Sequence, residues 1–232
     1  MDTIEIGGTL GIEAALAVAH GRAKVSLGET TIRRIEAARG VVEAAVADTG
    51  VAHYGINTGF GALAEVSIPY DKLRQLQINL IRSHAAGVGT ALERPVVRLI
   101  MLLRARVLAA GHSGVRPVVV ERLLQLLDSG IHPLIPCQGS VGASGDLAPL
   151  AHLALALVGE GEVEFEGQMM PAADALRRAG IAPLELHAKE GLSLINGTQA
   201  MTAIATLALE RAERLTRAAD ISGALTIEGM LG

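Results

Sequence analysis

The sequence is poor in aromatic residues: among its 232 residues are two Phe, two Tyr and no Trp, although half of the residues are hydrophobic. The interior must therefore be built from Ala, Leu, Val and Ile, and such side chains favour close packing of helices over a β-sandwich. A chain of this length suffices for one large or two small domains, each with a real core.

Cysteine and basic charge are also scarce. The single cysteine, Cys137, excludes an intramolecular disulfide and fits a reducing compartment. The 20 Lys and Arg are outnumbered by 24 Asp and Glu, so the net charge of −4 excludes a basic footprint for nucleic acid. The first residues are acidic where a signal peptide would be basic. These features predict a cytoplasmic protein that binds no nucleic acid.

Two long runs carry no charge, at 147–159 and 192–209. The second has the length of a membrane span, but it contains Asn196, Gln199 and several Ser and Thr, which would be costly in lipid. We expect no membrane partner. A helix that is apolar all round belongs inside a bundle, so the two runs are predicted to be helices that bury each other.

The remaining periodicity predicts a mainly α protein. Short strands are expected at 3–6 and 24–27, and a small exposed hairpin or loop at 162–167. Helices are expected at 31–47 with a Thr30 or Thr31 cap, 71–84, 94–110, 118–127 and 172–179. The predicted architecture is a small α+β N-terminal region, residues 1–112, packed on the start of a long helical bundle, residues 113–232.

The strongest chemical signal is the run Gly-Ser-Val-Gly-Ala-Ser-Gly-Asp-Leu-Ala-Pro-Leu-Ala-His at 139–152. In a strained turn the amide nitrogen of Gly145 can attack the carbonyl carbon of Ala143, because a glycine nitrogen is unhindered. Loss of water from the ring and from the Ser144 side chain then leaves a methylidene conjugated to a ketone, a strong electrophile. A flexible linker is the ordinary alternative, whereas Asp146 stands where a serine-hydrolase elbow needs glycine.

Three more motifs accompany this run. They are Tyr54-Gly55-Ile56-Asn57-Thr58-Gly59-Phe60-Gly61, Ser83-His84-Ala85-Ala86-Gly87 and Asn196-Gly197-Thr198-Gln199-Ala200. In this order the four motifs resemble the aromatic amino acid ammonia-lyase family, whose electrophile, 4-methylideneimidazole-5-one (MIO), forms from Ala-Ser-Gly. The motifs span most of the chain, so chance is a poor explanation.

The resemblance implies a role for each motif. Ala143, Ser144 and Gly145 would form MIO, and Tyr54 would remove the β-proton of the substrate. Asn196 would contact the substrate amine or carboxylate and the ring ketone. Histidine-specific members carry the Ser-His pair, so His84 would bind the imidazole of L-histidine. The implied reaction is non-oxidative deamination of L-histidine to trans-urocanate and ammonia.

Other interpretations remain open for the same residues. Tyr54 and His84 could be core residues, and Asn196 could bond locally to the backbone. The protein could be a tyrosine or phenylalanine ammonia-lyase or aminomutase, or a non-catalytic folded fragment or assembly module. The spacing of His and Cys residues predicts no metal site.

Members of the family are considerably longer than this sequence. Their distal half supplies further site residues, including an arginine for the substrate carboxylate. We therefore expect the N-terminal part of such an enzyme, inactive alone and without a formed MIO ring. The family also implies a homo-oligomer, a tetramer whose active sites are shared between subunits.

Overall fold

The computed structural model describes residues 2–48, 51–61, 64–66 and 68–232. Its helices are α1 (Ile12–Ala19), α2 (Glu29–Ala47), α3 (Leu73–His84), α4 (Arg94–Ala109), α5 (Pro117–Ser129), α6 (Leu147–Leu157), α7 (Ala172–Arg178), α8 (Glu190–Ile195) and α9 (Gln199–Gly229). Its strands are β1 (Asp2–Ile6), β2 (Ala23–Leu27), β3 (Val88–Ala91), β4 (His132–Pro133), β5 (Pro136–Gln138), β6 (Glu162–Phe165) and β7 (Gln168–Pro171). The mainly α fold is therefore confirmed.

The N-terminal strands pair in parallel. Asp2 lies opposite Ala23 and Ile6 opposite Leu27, with α1 crossing between the two strands. Both strands turn alternate side chains inward, and Ile6 and Val25 are buried. The strands predicted at 3–6 and 24–27 are confirmed, as is the hairpin, which β6 and β7 form.

Helix α4 lies at the centre of the core. It contacts α1, α5 and α9, and its buried residues surround the helix axis instead of following one stripe. Helix α5 ends at Gly130, which adopts the left-handed conformation with φ of 73°, as the sequence predicts for a C-terminal glycine. The division of the chain after residue 112 stays a prediction.

Two predictions about helices are wrong. Residues 192–209 do not form one helix, because the chain leaves the helical conformation from Asn196 to Thr198 and separates α8 from α9. The N-cap of α2 is Gly28, without a side-chain cap, because the Thr31 hydroxyl instead donates to the carbonyl of Ile6. The expected contact between the uncharged helices does occur, since α6 packs against α8 and α9.

Burial of α9 is confined to its first part. Its buried residues are Gln199, Ala200, Ala203 and Leu207, whereas every residue from 211 onward is exposed. The stretch Glu190–Gly229 is long and apolar enough to cross a membrane, and 39 % of its most apolar window is buried in the protein. A core helix of a soluble protein passes the same test, so this stretch does not by itself indicate a membrane protein.

His132 makes the stability of this fold sensitive to acid. Its ring is buried, and Nε2 accepts a hydrogen bond from Nη1 of Arg98 at 3.2 Å. Burial and the charges of Arg98 and Arg94 lower the pKa of His132 from 6.5 to about 4. Because the unfolded chain binds the proton first, we expect the free energy of unfolding to fall by about 3 kcal/mol between pH 7 and pH 4 from this group.

The pH dependence is measured by urea unfolding of the wild type and of His132→Gln. Glutamine keeps an acceptor for Arg98 but does not titrate, so the variant should lose less stability with falling pH. Identical pH profiles for the two proteins would contradict the assignment to His132.

Candidate active site

The segment from Ser140 to Asp146 is a closed loop between β5 and α6. Asp146 is fully buried, and its carboxylate accepts hydrogen bonds from the Ser140 hydroxyl and from the Val141 amide, the latter at 2.9 Å. Ala143 and Ser144 are exposed between these fixed ends. The carboxylate therefore braces the loop, and it does not cap α6.

Gly145 lies against Asn196. Its φ is +75°, a left-handed conformation that favours glycine. A Cβ at this position would lie 3.1 Å from Oδ1 of Asn196, which is tighter than ordinary van der Waals contact. The amide of Asp146 also donates to the carbonyl of Gly197 at 3.1 Å. The structure thus brings two of the sequence-predicted motifs into direct contact.

His84 is the last residue of α3, and its ring orientation is fixed. Nδ1 lies 2.8 Å from the carbonyl oxygen of Leu80. A carbonyl can only accept, so Nδ1 carries the hydrogen, and Nε2 of the neutral ring is then an acceptor. Ser83 donates its hydroxyl hydrogen to the same carbonyl at 2.9 Å. The Ser-His pair therefore presents an imidazole with a defined acceptor nitrogen.

The segment after His84 is attached to the Ala-Ser-Gly loop region by Gly87. The Gly87 amide donates to Nε2 of His152, on α6, at 3.1 Å. At the other end of the loop, a Cβ on Gly139 would lie 3.0 Å from Cα of Gly87. Burial lowers the pKa of His152, which keeps Nε2 an acceptor near neutral pH. The segment that follows His84 therefore contacts the chain on both sides of the Ala-Ser-Gly loop, at Gly139 and at His152.

Tyr54 lies in a glycine-rich loop, and hydrogen bonds made by polar residues of this loop stabilise it. Asn57 accepts from the His53 amide at 2.6 Å and donates to the Val51 carbonyl at 2.9 Å. The Tyr54 ring is 60 % exposed and meets Phe60 edge-on, with ring centroids 6.2 Å apart. The contact between this loop and α8 runs through the residue after Tyr54, and the Tyr54 ring itself stays open to solvent.

Gly55 makes that contact. Its φ is +75°, and a Cβ there would lie 2.7 Å from Cδ2 of Leu192 on α8. Glycine therefore suits this approach of the loop to the helix that leads to Asn196, since a side chain here would be strained by the positive φ and would displace Leu192. The Tyr54 loop thus packs on α8 at Leu192, and Asn196 is the C-cap of the same helix.

Buried polar residues fix the start of α8. Glu190 is fully buried and accepts hydrogen bonds from the amide of His187 and from Arg116, through its amide, Nε and Nη2, at 2.8–3.0 Å. Burial acts to raise the pKa of Glu190, but the hydrogen bonds from Arg116 and His187 together outweigh it and lower that pKa. Gln77 on α3 accepts from the Gly191 amide at 2.9 Å.

Sequence reasoning missed these supporting residues. Arg104, Glu190 and Gln77 lie outside the four motifs, and His152, the last residue of the Ala-Ser-Gly run, had no predicted role. Arg104 gave no distinct signal in the sequence, because α4 also contains Arg94, Arg98 and Arg106. Among the residues that the structure describes, no group of three His, Cys, Asp or Glu could hold a metal ion.

Solved structures with this architecture include ammonia-lyases and aminomutases. Histidine ammonia-lyase from Trypanosoma cruzi matches with a TM-score of 0.90 and 40 % identity, over 98 % of this chain and 44 % of that one. Tyrosine aminomutase from Streptomyces globisporus matches with a TM-score of 0.89 and 42 % identity, over 97 % of this chain and 42 % of that one. The fold and the site thus define the class of protein, which is that of the ammonia-lyases and aminomutases.

Sequence comparison then identifies the family. The family model described as aromatic amino acid lyase matches residues 10–232, and the chain belongs to that family. Histidine ammonia-lyase from Geobacillus thermodenitrificans is 55 % identical over 226 residues, which are 97 % of this chain and 45 % of the relative. The resemblance stated from the four motifs is confirmed, and the chain spans less than half the length of this relative.

Proposed function

We propose that this chain is the N-terminal part of a histidine ammonia-lyase, a carbon–nitrogen lyase that converts L-histidine to trans-urocanate and ammonia. The observation that carries the proposal is the contact of Asn196 with Gly145 in a braced Ala143-Ser144-Gly145 loop. The names of relatives such as the Geobacillus thermodenitrificans protein support the same substrate.

The loop residues fit formation of MIO. Gly145 has the unhindered nitrogen that ring closure requires, and its left-handed backbone suits glycine. Ala143 and Ser144 are exposed, so a group formed there would face incoming substrate. When formed, MIO supplies an electrophile that none of the twenty side chains provides.

The chain's own residues would bind and deprotonate the substrate. His84 would orient the substrate by accepting the imidazole N–H at Nε2, and the Asn196 amide would hold the substrate amine or carboxylate beside Gly145. Tyr54 would take the β-proton at its phenolic oxygen as general base, a role typical of a positioned tyrosine. Asp146 would keep the two ends of the loop together throughout.

Two alternatives remain. A tyrosine or phenylalanine ammonia-lyase or aminomutase is supported by the match to tyrosine aminomutase, but the defined acceptor nitrogen of His84 favours an imidazole substrate. A non-catalytic folded fragment or assembly module is supported by the short span of this chain against its relatives. We further propose a cytoplasmic location without a nucleic acid partner, consistent with the net charge of −4.

The test compares the chain alone with the same chain extended by the C-terminal part of the Geobacillus thermodenitrificans relative. Urocanate formation is followed by absorbance, and the intact mass reports a loss of two waters when MIO forms. We expect turnover and ring formation in the extended chain, and negligible turnover and no ring in the chain alone.

Each outcome separates the interpretations. Comparable rates for the two chains would contradict the dependence on distal residues, whereas a preference of the extended chain for tyrosine or phenylalanine would favour the first alternative. An extended chain that folds and forms the ring but acts on none of the three amino acids would reject the proposed function.

We also propose that the chain self-associates. Leu215, Ile221 and Leu225 on α9 are 72 %, 63 % and 69 % exposed, and burial of such side chains is favourable by about 1.5–3 kcal/mol each. Sedimentation at tens of micromolar should show a species larger than the monomer, and Leu215→Glu with Leu225→Glu should shift it toward the monomer. A sharp wild-type monomer would contradict this expectation.

A further inference from the structure

Arg104 is a buried cation behind the turn that carries Asn196. It lies on α4, where it is 2 % exposed. Its Nη1 donates to the backbone carbonyl of Asn196 and to Oε1 of Gln199, both at 2.9 Å. Both acceptors are neutral, and Arg104 makes no ion pair with a carboxylate in the part of the chain that the structure describes.

This arrangement costs free energy. Burial lowers the pKa of Arg104 to about 10, so the guanidinium is still charged at neutral pH. A buried charge without an opposite charge is expensive, and an apolar residue of similar length would avoid that cost. Among the described residues, Nε of Arg104 also has no hydrogen-bond partner. The side chain must therefore provide something that an apolar one would not.

The Asn196 motif is built around this guanidinium. A Cβ on Gly197 would collide with Nη1 of Arg104 and with Oε1 of Gln199, so a larger residue here would have to displace one of these two side chains. Gln199 supplies the second acceptor for Nη1. The presence of Gly197 and Gln199 beside Asn196 is thus explained by one side chain on another helix.

The same turn contacts the Ala-Ser-Gly loop on its other side. The carbonyl of Gly197 accepts from the Asp146 amide, and Oδ1 of Asn196 faces Gly145. Any shift of the Asn196 carbonyl away from Arg104 would also move the side chain of Asn196. The planar fork of an arginine holds such acceptors more rigidly than a single ammonium does.

We propose that Arg104 is a positioning residue for Asn196. By bonding the Asn196 carbonyl and Gln199 together, it stops the helix at Ile195 and holds the Asn196 side chain against Gly145. The catalytic meaning of this placement rests on the proposed function, but the placement itself is measurable without turnover.

The test compares Arg104→Met and Arg104→Lys in the chain as it stands. Methionine keeps an unbranched apolar stem and removes the hydrogen bonds, whereas lysine keeps the charge and one donor group. The readouts are the exchange rate of the Asp146 amide hydrogen and the side-chain amide resonances of Asn196. The amides of Leu126 and Leu127 in α5 report overall stability and serve as the reference.

In Arg104→Met we expect the Asp146 amide to exchange about tenfold faster relative to the α5 amides, with shifted Asn196 side-chain resonances. Arg104→Lys should restore part of the protection, because an ammonium group can still donate to the Asn196 carbonyl. An Asp146 amide that accelerates no more than the α5 amides, with unchanged Asn196 resonances, would overturn the proposal.

A measurement on the unaltered chain covers the case in which Arg104→Met does not fold. Two acceptors restrain rotation of the guanidinium, so the Nη1 hydrogens of Arg104 should give resolved resonances with cross-relaxation to Gly197. Averaged resonances like those of the exposed Arg217 would overturn the proposal. A restrained Arg104 in an extended chain that makes no urocanate would instead count against the proposed function alone.

Discussion

Ser144→Ala in the extended chain should abolish turnover of L-histidine while the chain remains folded. The Ser144 hydroxyl is the group whose loss as water creates the methylidene, and alanine has nothing to lose. Ser144 is exposed, so its removal should change the free energy of unfolding by less than about 0.5 kcal/mol. Urocanate kinetics and urea unfolding of the same preparation measure both effects.

Ser129→Ala is the matched control for this change. Ser129 is an exposed serine at the end of α5, so its loss should leave both turnover and the mass change of ring formation intact. Wild-type turnover in Ser144→Ala would remove this residue from the mechanism, and with it the assignment of MIO to this loop.

Tyr54→Phe should lower kcat of the extended chain by about 10²–10⁴-fold, the range for loss of a general acid–base group. The ring contact with Phe60 survives the change, because only the hydroxyl is removed. The fold should therefore be unaffected. Steady-state kinetics with L-histidine, together with circular dichroism, provide the measurement.

The second tyrosine of the sequence supplies the control for Tyr54. Tyr70 is 78 % exposed and lies in a short 3₁₀ turn before α3, so Tyr70→Phe should keep wild-type kcat. Equal kcat in the two variants would mean that the phenol of Tyr54 takes no part in proton removal.

Local sequence patterns predicted the elements whose conformation depends on residues close by in the sequence. The paired strands, the hairpin and the end of α5 at Gly130 follow from alternation and from the backbone freedom of glycine. In our proposal the predicted helix over 192–209 is interrupted because Arg104, 92 residues before Asn196 in the chain, takes the Asn196 carbonyl. Periodicity along one segment contains no information about such a partner.

The same limit applies to the site. The four motifs identified the residues now proposed for chemistry, because these motifs resemble those of the aromatic amino acid lyases. The residues that hold these loops are ordinary members of helices, such as Gln77 on α3 and Glu190 on α8. Their importance arises only when helices from distant parts of the sequence pack together, so a pattern of spacing could not reveal them.

The exposed second part of α9 has a consequence for how the chain melts. Within the described part of the chain, the side-chain contacts that join α9 to the body farthest along the helix are His20 with Glu210 at 2.9 Å and Arg211 with Glu93 at 3.0 Å. Beyond them every residue of the helix is exposed, and in proteins most helical stability comes from tertiary packing. We therefore expect this part to exchange between helix and coil within about a microsecond, while the body unfolds cooperatively. A surface that packs along this part of α9 would stop the exchange and hold the segment as a helix.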